Sequence, residues 1–173
     1  MIKKIFVLLL MAVYAQVSYA GDWAVDPSSK CKAWNPYPQP NESIQWSGSC
    51  VDGYAHGKGT IRWYLNGDLG DVYVGNYAKG LMHGEGVFTW ANGSHYDGEY
   101  LLGKRNGFGV MTLAQGDGNA LSYTTLGLGT WVGDTYQVAG LWRDNNLGLV
   151  CPSKAECMNK QPKPQPQDAP PSN

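Results

Sequence analysis

Apolar and polar residues along the chain alternate in short runs with a period of two, the spacing of an extended strand. In residues 73–90, YVGNYAKGLMHGEGVFTW, one strand face takes Tyr73, Gly75 and Tyr77, and then Gly86, Phe88 and Trp90. Residues 96–113 place Tyr96, Gly98 and Tyr100, then Gly109, Met111 and Leu113, at the same offsets. Residues 46–63 do the same with Trp46, Gly48 and Cys50, then Gly59, Ile61 and Trp63. The other face carries Lys58, Thr60 and Arg62, then Glu85, Val87 and Thr89, then Phe108, Val110 and Thr112. That face is mixed and β-branched, as a water-facing sheet surface is. No stretch sustains an apolar period of 3.6, and glycine interrupts every candidate helical window.

The pattern predicts a chain of β-hairpins. Gly-x-Gly pairs recur at Gly57/Gly59, Gly84/Gly86, Gly107/Gly109 and Gly127/Gly129, in steps of 27, 23 and 20 residues. Within one unit, Tyr73–Tyr77 is expected to be a strand, Lys79–Gly84 a glycine-rich turn, and Glu85–Trp90 the return. Asn66-Gly67 and Asn92-Gly93 are hairpin-turn dipeptides, because both residues tolerate positive φ. Glycines inside the strands, Gly75, Gly86, Gly98 and Gly109, leave room for a neighbouring ring or backbone. Gly84 and Gly107 are assigned to turns. Continuing the count places Tyr123 on the inner face and makes Val138–Trp142 one more opening strand. One inner column would then run Cys50, Tyr77, Tyr100, Tyr123, Trp142.

The ends of the chain differ from this frame. Lys3 and Lys4, the apolar run Ile5–Val13 and the small residues at Ser18 and Ala20 have the form of a secretory signal peptide over residues 1–20, cut after Ala20. The expected location is periplasmic or secreted, and membrane insertion after cleavage is not expected. The 13 basic residues of the whole chain fall to 11 without Lys3 and Lys4, against 14 acidic ones, for a net charge of about −3. Such a balance argues against a nucleic-acid partner. The four cysteines, Cys31, Cys50, Cys151 and Cys157, all follow the cut. In an oxidising compartment two disulfides are the default. Three pairings are possible; Cys31–Cys50 with Cys151–Cys157 is favoured because each closes a short loop at one end. The wide cysteine spacing does not suit zinc, and neither a metal nor another cofactor is expected. Residues 21–45, with four prolines, read as an irregular N-terminal cap packed by Trp23 and Trp34. Residues 46–150 are the repeat domain, with units at 46–68, 73–95 and 96–118 and a degenerate stretch at 119–150. Residues 151–173 form a cysteine-containing cap and a disordered proline-rich tail, QPKPQPQDAPPSN.

The string Y-x-G-x-Y-x-x-G-x-x-x-G-x-G at Tyr73–Gly86 and Tyr96–Gly109 resembles the MORN repeat (membrane occupation and recognition nexus). Trp46–Gly67 is similar, with Trp46 and Cys50 in place of the two tyrosines, so the resemblance covers residues 44–116 and extends in weaker form over 117–150. The resemblance implies an all-β fold: a single-layer, elongated array of antiparallel hairpins, here with disulfide-closed ends, of an exported bacterial type. It also implies a scaffold or interaction module. Some MORN arrays were proposed to bind phospholipid, and where such proteins are enzymes a separate domain carries the chemistry. The segments flanking the repeats are too short for one, so no enzymatic activity is expected.

Three sets of residues offer chemistry. His56, His83 and Asn106 occupy one repeat position, just before Gly57, Gly84 and Gly107, and read as turn residues rather than a metal or acid–base site. Asp52, Asp97, Glu99, Asp117 and Asp134 are spread through the units, and nothing in their spacing makes the carboxylate pair of a glycoside hydrolase. Trp63, Tyr77, Trp90 and Tyr100 could form an aromatic groove for a protein partner or a cell-wall glycan, or could be core. WYLNG at 63–67 has a faint likeness to bacterial cell-wall-binding repeats. The reading that results is a protein-interaction scaffold or adaptor at the cell envelope. A carbohydrate- or peptidoglycan-binding module is the alternative, and a hydrolase a distant one.

Overall fold

The computed structural model describes residues 21–160, so the expected signal peptide and the proline-rich tail lie outside the described residues. The chain is predominantly β-sheet. Its strands are β1 (Asp22–Val25), β2 (Lys32–Asn35), β3 (Glu42–Trp46), β4 (Ser49–Val51), β5 (Tyr54–Leu65) and β6 (Asp68–Ala78). They continue with β7 (Leu81–Thr89), β8 (His95–Leu101), β9 (Lys104–Leu113), β10 (Thr130–Val132), β11 (Thr135–Arg143) and β12 (Asn146–Val150). Two short helices, α1 (Gly118–Thr125) and α2 (Lys154–Lys160), interrupt and close the series. The strands form one open sheet in the order β1-β2-β5-β6-β7-β8-β9-β11-β10, with β3 and β4 also on β5 and β12 also on β11. Every pair is antiparallel except the single β2–β5 bridge.

Four hairpins share one local plan. Their tips are the two-residue turns Asp52-Gly53, Lys79-Gly80, Leu102-Gly103 and Asp144-Asn145, with positive φ at both positions. This is the primed turn whose twist suits a tight hairpin. The turn expected over Lys79–Gly84 is therefore shorter, and β7 already begins at Leu81. Gly84 lies inside β7, where the register jumps from Asn76↔His83 to Gly75↔Gly86. Two extra residues on the return strand make a bulge, and Gly84 absorbs it with φ 64°. His83 thus precedes a bulge and is not a turn residue. Each later tip also docks on the hairpin before it. The N–H groups of Gly80, Gly103 and Asn145 donate to the carbonyls of Ala55, Met82 and Arg105, at 2.9, 2.9 and 3.1 Å. Asn145 at φ 70° stands where the other units have glycine, which identifies β11–β12 as a fourth hairpin of the same kind.

Strand glycines are aligned across the sheet. Gly59 pairs with Gly75, Gly75 with Gly86, Gly86 with Gly98, Gly98 with Gly109, and Gly109 with Gly140. A ring lies across the glycines: Tyr73 over Gly75 and Gly86, Tyr96 over Gly98 and Gly109, Trp46 over Gly48 and Gly59. Each ring's polar tip reaches the carbonyl three residues on. Tyr73 Oη donates to Asn76 O at 3.1 Å, Tyr96 Oη to Glu99 O at 3.5 Å, and Trp46 Nε1 to Ser49 O at 2.9 Å. Trp46 therefore replaces the tyrosine without losing either contact. Edge-to-face contacts then join Trp46, Tyr77, Tyr73, Tyr100, Tyr96 and Trp142 in one chain, with centroids 5.0–5.4 Å apart. Such pairs add about 0.5–1.5 kcal/mol each beyond area burial. Burial pushes the Tyr73 and Tyr96 hydroxyls above the ordinary phenol range, so both remain neutral donors.

The N-terminal segment is more ordered than the sequence suggests. Residues 21–45 hold three strands rather than an irregular cap. Strand β2 crosses the first two hairpin tips, with Lys32 N donating to Gly53 O at 2.9 Å and Trp34 N to Gly80 O at 2.8 Å. The Asp26 carboxylate accepts from Trp46 N at 3.0 Å and from Ser28 N and Ser29 Oγ at 2.8 Å. Burial opposes its charge, but these donors prevail and hold the carboxyl below the usual range. The disulfides are Cys31–Cys50 and Cys151–Cys157, and among the described residues no cysteine is free. The inner column differs from expectation at two places. Cys50 is exposed, and Tyr123 lies in α1, because residues 114–134 form an insertion between β9 and β11 that leaves the sheet and returns to it only as the short edge strand β10.

Alanine at Gly75 or Gly98 should destabilise the fold by about 1–3 kcal/mol through overpacking. The new Cβ would sit 2.5 Å from Tyr73 Oη or 2.6 Å from Tyr96 Oη, against a ring that is pinned at both ends. Gly118→Ala, where a Cβ meets nothing within 4 Å, should leave the urea midpoint unchanged. Asp26→Asn should cost about 2 kcal/mol at neutral pH, the scale of hydrogen bonds to a charged group. Because the folded pKa is depressed, that contribution is complete above the unfolded value of about 4 and disappears as pH falls through the lower folded value. Urea midpoints of the two proteins should therefore converge in acid.

Candidate functional site

The repeat leaves one inner position to be compared across units, opposite the second ring of each opening strand. It is Ala55 opposite Cys50, Met82 opposite Tyr77, Arg105 opposite Tyr100 and Leu147 opposite Trp142. Three are apolar and the fourth is a guanidinium. Arg105 lies over the Trp142 ring at 4.5 Å and the Tyr96 ring at 5.6 Å. Its Nη2 donates to Asn145 O at 2.9 Å. Among the described residues no carboxylate comes within ion-pair distance of it. Burial lowers its pKa, while the hydroxyls of Tyr123, Tyr100 and Tyr96 act in the opposite sense.

The insertion at 114–134 closes over the same place. Asp117 caps α1, accepting from Asn119 N at 2.8 Å. It also accepts from Asn92 Nδ2 at 2.9 Å, from Asn119 Nδ2 at 3.0 Å and, through a short bond, from Ser94 Oγ. Burial raises its pKa, but these donors outweigh it and hold the carboxyl low. Tyr136 Oη donates to Tyr123 O at 3.4 Å and accepts from Gly129 N at 2.8 Å, tying the far side of the insertion to β11. A cavity of about 260 Å³ remains between insertion and sheet. Its floor is Met111 and Leu113, Trp90 and Tyr123 contribute rings, and Arg105 and Asp117 bring the two charges. The two charges are unlike in state: four donors occupy the carboxylate, while most of the guanidinium's donors have no partner among the described residues.

The aromatic residues expected to form a groove are divided by the structure. Tyr77 and Tyr100 are 3% and 5% exposed and belong to the edge-to-face chain, and Trp63 is 9% exposed beside Phe88. They are core, so no groove of four rings exists. Only Trp90, half-buried against Phe88, reaches the cavity. The structural glycines Gly75, Gly86, Gly98 and Gly109 lie under rings as expected, whereas Gly84 and Gly107 sit at bulges. On the outer face Glu99 pairs with Lys154 at 2.8 Å and accepts from Phe108 N. Arg105 escaped the sequence reading, although the signal was present. Residues two before the bulge glycines read Ala55, Met82, Arg105, and only the last is polar.

Two comparisons bear on identity. No curated protein matches the chain. The MORN repeat family model matches residues 46–64, 73–95 and 96–118. Those segments coincide with the hairpins whose rings lie over glycine pairs. MORN repeats are generally protein- or membrane-interaction modules. Among the described residues no helix is long and apolar enough to cross a membrane. The chain thus carries three consecutive MORN repeats within residues 46–118.

Proposed function

We propose that this is a non-enzymatic, exported protein that acts as an interaction scaffold at the cell envelope and engages a protein partner. The observation that carries the reading is that the insertion leaves four large apolar side chains exposed within residues 121–132. The repeat rings are spent on the core, yet the insertion presents Leu121, Leu126, Trp131 and Val132 at 74%, 66%, 60% and 52% exposure. Exposed apolar side chains gathered in one segment mark interaction sites on soluble proteins. The two disulfides support an oxidising compartment, in keeping with the signal sequence. A glycan groove finds less support, because three of its four rings are buried.

Mild crosslinking in the native host, followed by affinity purification and mass spectrometry, tests the proposal. One protein species should co-purify with the wild-type chain and be lost with Leu121→Asp/Leu126→Asp, changes at exposed positions of α1 and its C-cap. Equal recovery with both chains would contradict a role for the insertion. Recovery of cell-wall material without any protein would favour the glycan reading instead.

A further inference from the structure

The cavity under the insertion is where two departures from the repeat meet. One is Arg105, in a position that the other units fill with Ala55, Met82 and Leu147. The other is residues 114–134, the one place where consecutive hairpins are not directly joined. Placing a guanidinium on an apolar inner face costs desolvation, and no ion pair returns that cost here. Sequences that break their own local rules do so mostly at functional sites. Resting on the reading of a protein partner, we propose that this cavity binds a carboxylate of that partner, from an acidic side chain or a chain terminus, with an adjoining apolar residue.

Three observations specify that chemistry. Arg105 is stacked on Trp142 and held by Asn145 O, so its orientation is set before binding. A planar fork with open donors pairs with a carboxylate through two parallel bonds. The remaining walls, Trp90, Tyr123, Met111 and Leu113, are aromatic or aliphatic and suit the neighbouring side chain. Asp117, which also lines the cavity, keeps its negative charge, its pKa lowered by its donors against the effect of burial. That charge disfavours a dianionic phosphate more than a carboxylate, which carries a single charge. About 260 Å³ is below the usual range for small-molecule sites and suits a carboxylate with one adjoining side chain, not a longer chain segment.

Calorimetric titration of the purified, disulfide-intact chain with defined peptides tests the site. The probes are Ac-Gly-Glu-Phe-Gly-amide with its Gln counterpart, and Ac-Gly-Gly-Phe as free acid and as amide. At least one acid form should bind tenfold or more tightly than its uncharged counterpart, and the preferred acid identifies side chain or terminus. Arg105→Met installs the side chain that the second repeat uses at this position, and it should keep the fold while losing tenfold or more in affinity. Tyr123→Ala, which changes a wall supplied by α1 and alters no strand residue, should weaken binding of the same acid by several fold, and it provides the decisive variant if Arg105→Met does not fold. Equal binding of acid and uncharged forms, tighter binding of inorganic phosphate or glucuronate, or unchanged affinity in the folded variants would overturn the proposal. Because no host partner is present, this outcome is independent of the crosslinking experiment: a partner lost with the Leu121/Leu126 change but no carboxylate binding would reject the site alone.

Discussion

The structure depends on a tyrosine or tryptophan ring laid over two glycines that face each other across adjacent strands. In a sheet one layer thick there is no second layer to bury the apolar face. The rings of Tyr73, Tyr96 and Trp46 lie down on the sheet because Gly75/Gly86, Gly98/Gly109 and Gly48/Gly59 leave the backbone bare beneath them. The i-to-i+3 hydrogen bond from each ring's tip satisfies the one polar group this arrangement buries. Removing either part undoes the other. A Cβ lifts the ring, and without the ring the glycines only weaken the strands.

The same arrangement explains how the units join and where the array stops. Flat rings meet the next unit edge-on, so burial is continuous from Trp46 to Trp142, with Ile44, Ile61 and Val138 as the aliphatic part of the core. The fourth hairpin is the limiting case. Val138 stands where a ring is expected, and Leu147 approaches Gly140 instead. There the column is completed by Trp142, whose Nε1 donates to Gly109 O at 3.2 Å, with Arg105 stacked on its ring. At the other end the β1–β2 hairpin, the Asp26 carboxylate and the Cys31–Cys50 bridge cover the first unit. A bridge spanning 19 residues restricts the unfolded chain by about 3 kcal/mol in the chain-entropy model.

Much of this was legible from the sequence, because it follows from period-two patterning and recurring glycines. The faces of β5 to β9 apart from buried Thr112, the Asn66-Gly67 turn and both disulfide pairings agree with the sequence pattern. The misreadings have identifiable causes. Gly84 reads as a turn residue because a bulge and a turn both need positive φ, and only the pairing register separates them. Tyr123 was counted forward from a repeat that the chain had already left at Ala114. Residues 21–45 read as irregular because four prolines mask strands formed against the tips of hairpins distant in sequence. Trp63, Tyr77 and Tyr100 were open to two readings because an aromatic stripe has the same spacing whether it is core or groove. Arg105 needed no structure to be noticed, only comparison of the unit with its own neighbours.

The central claim is tested most directly by the NMR shifts of glycine Hα protons in the folded chain. The account predicts strong upfield ring-current shifts at Gly75, Gly86, Gly98 and Gly109, and none at Gly118 or Gly53. Random-coil shifts at the four strand glycines would contradict it, since the rings would then not lie over the backbone.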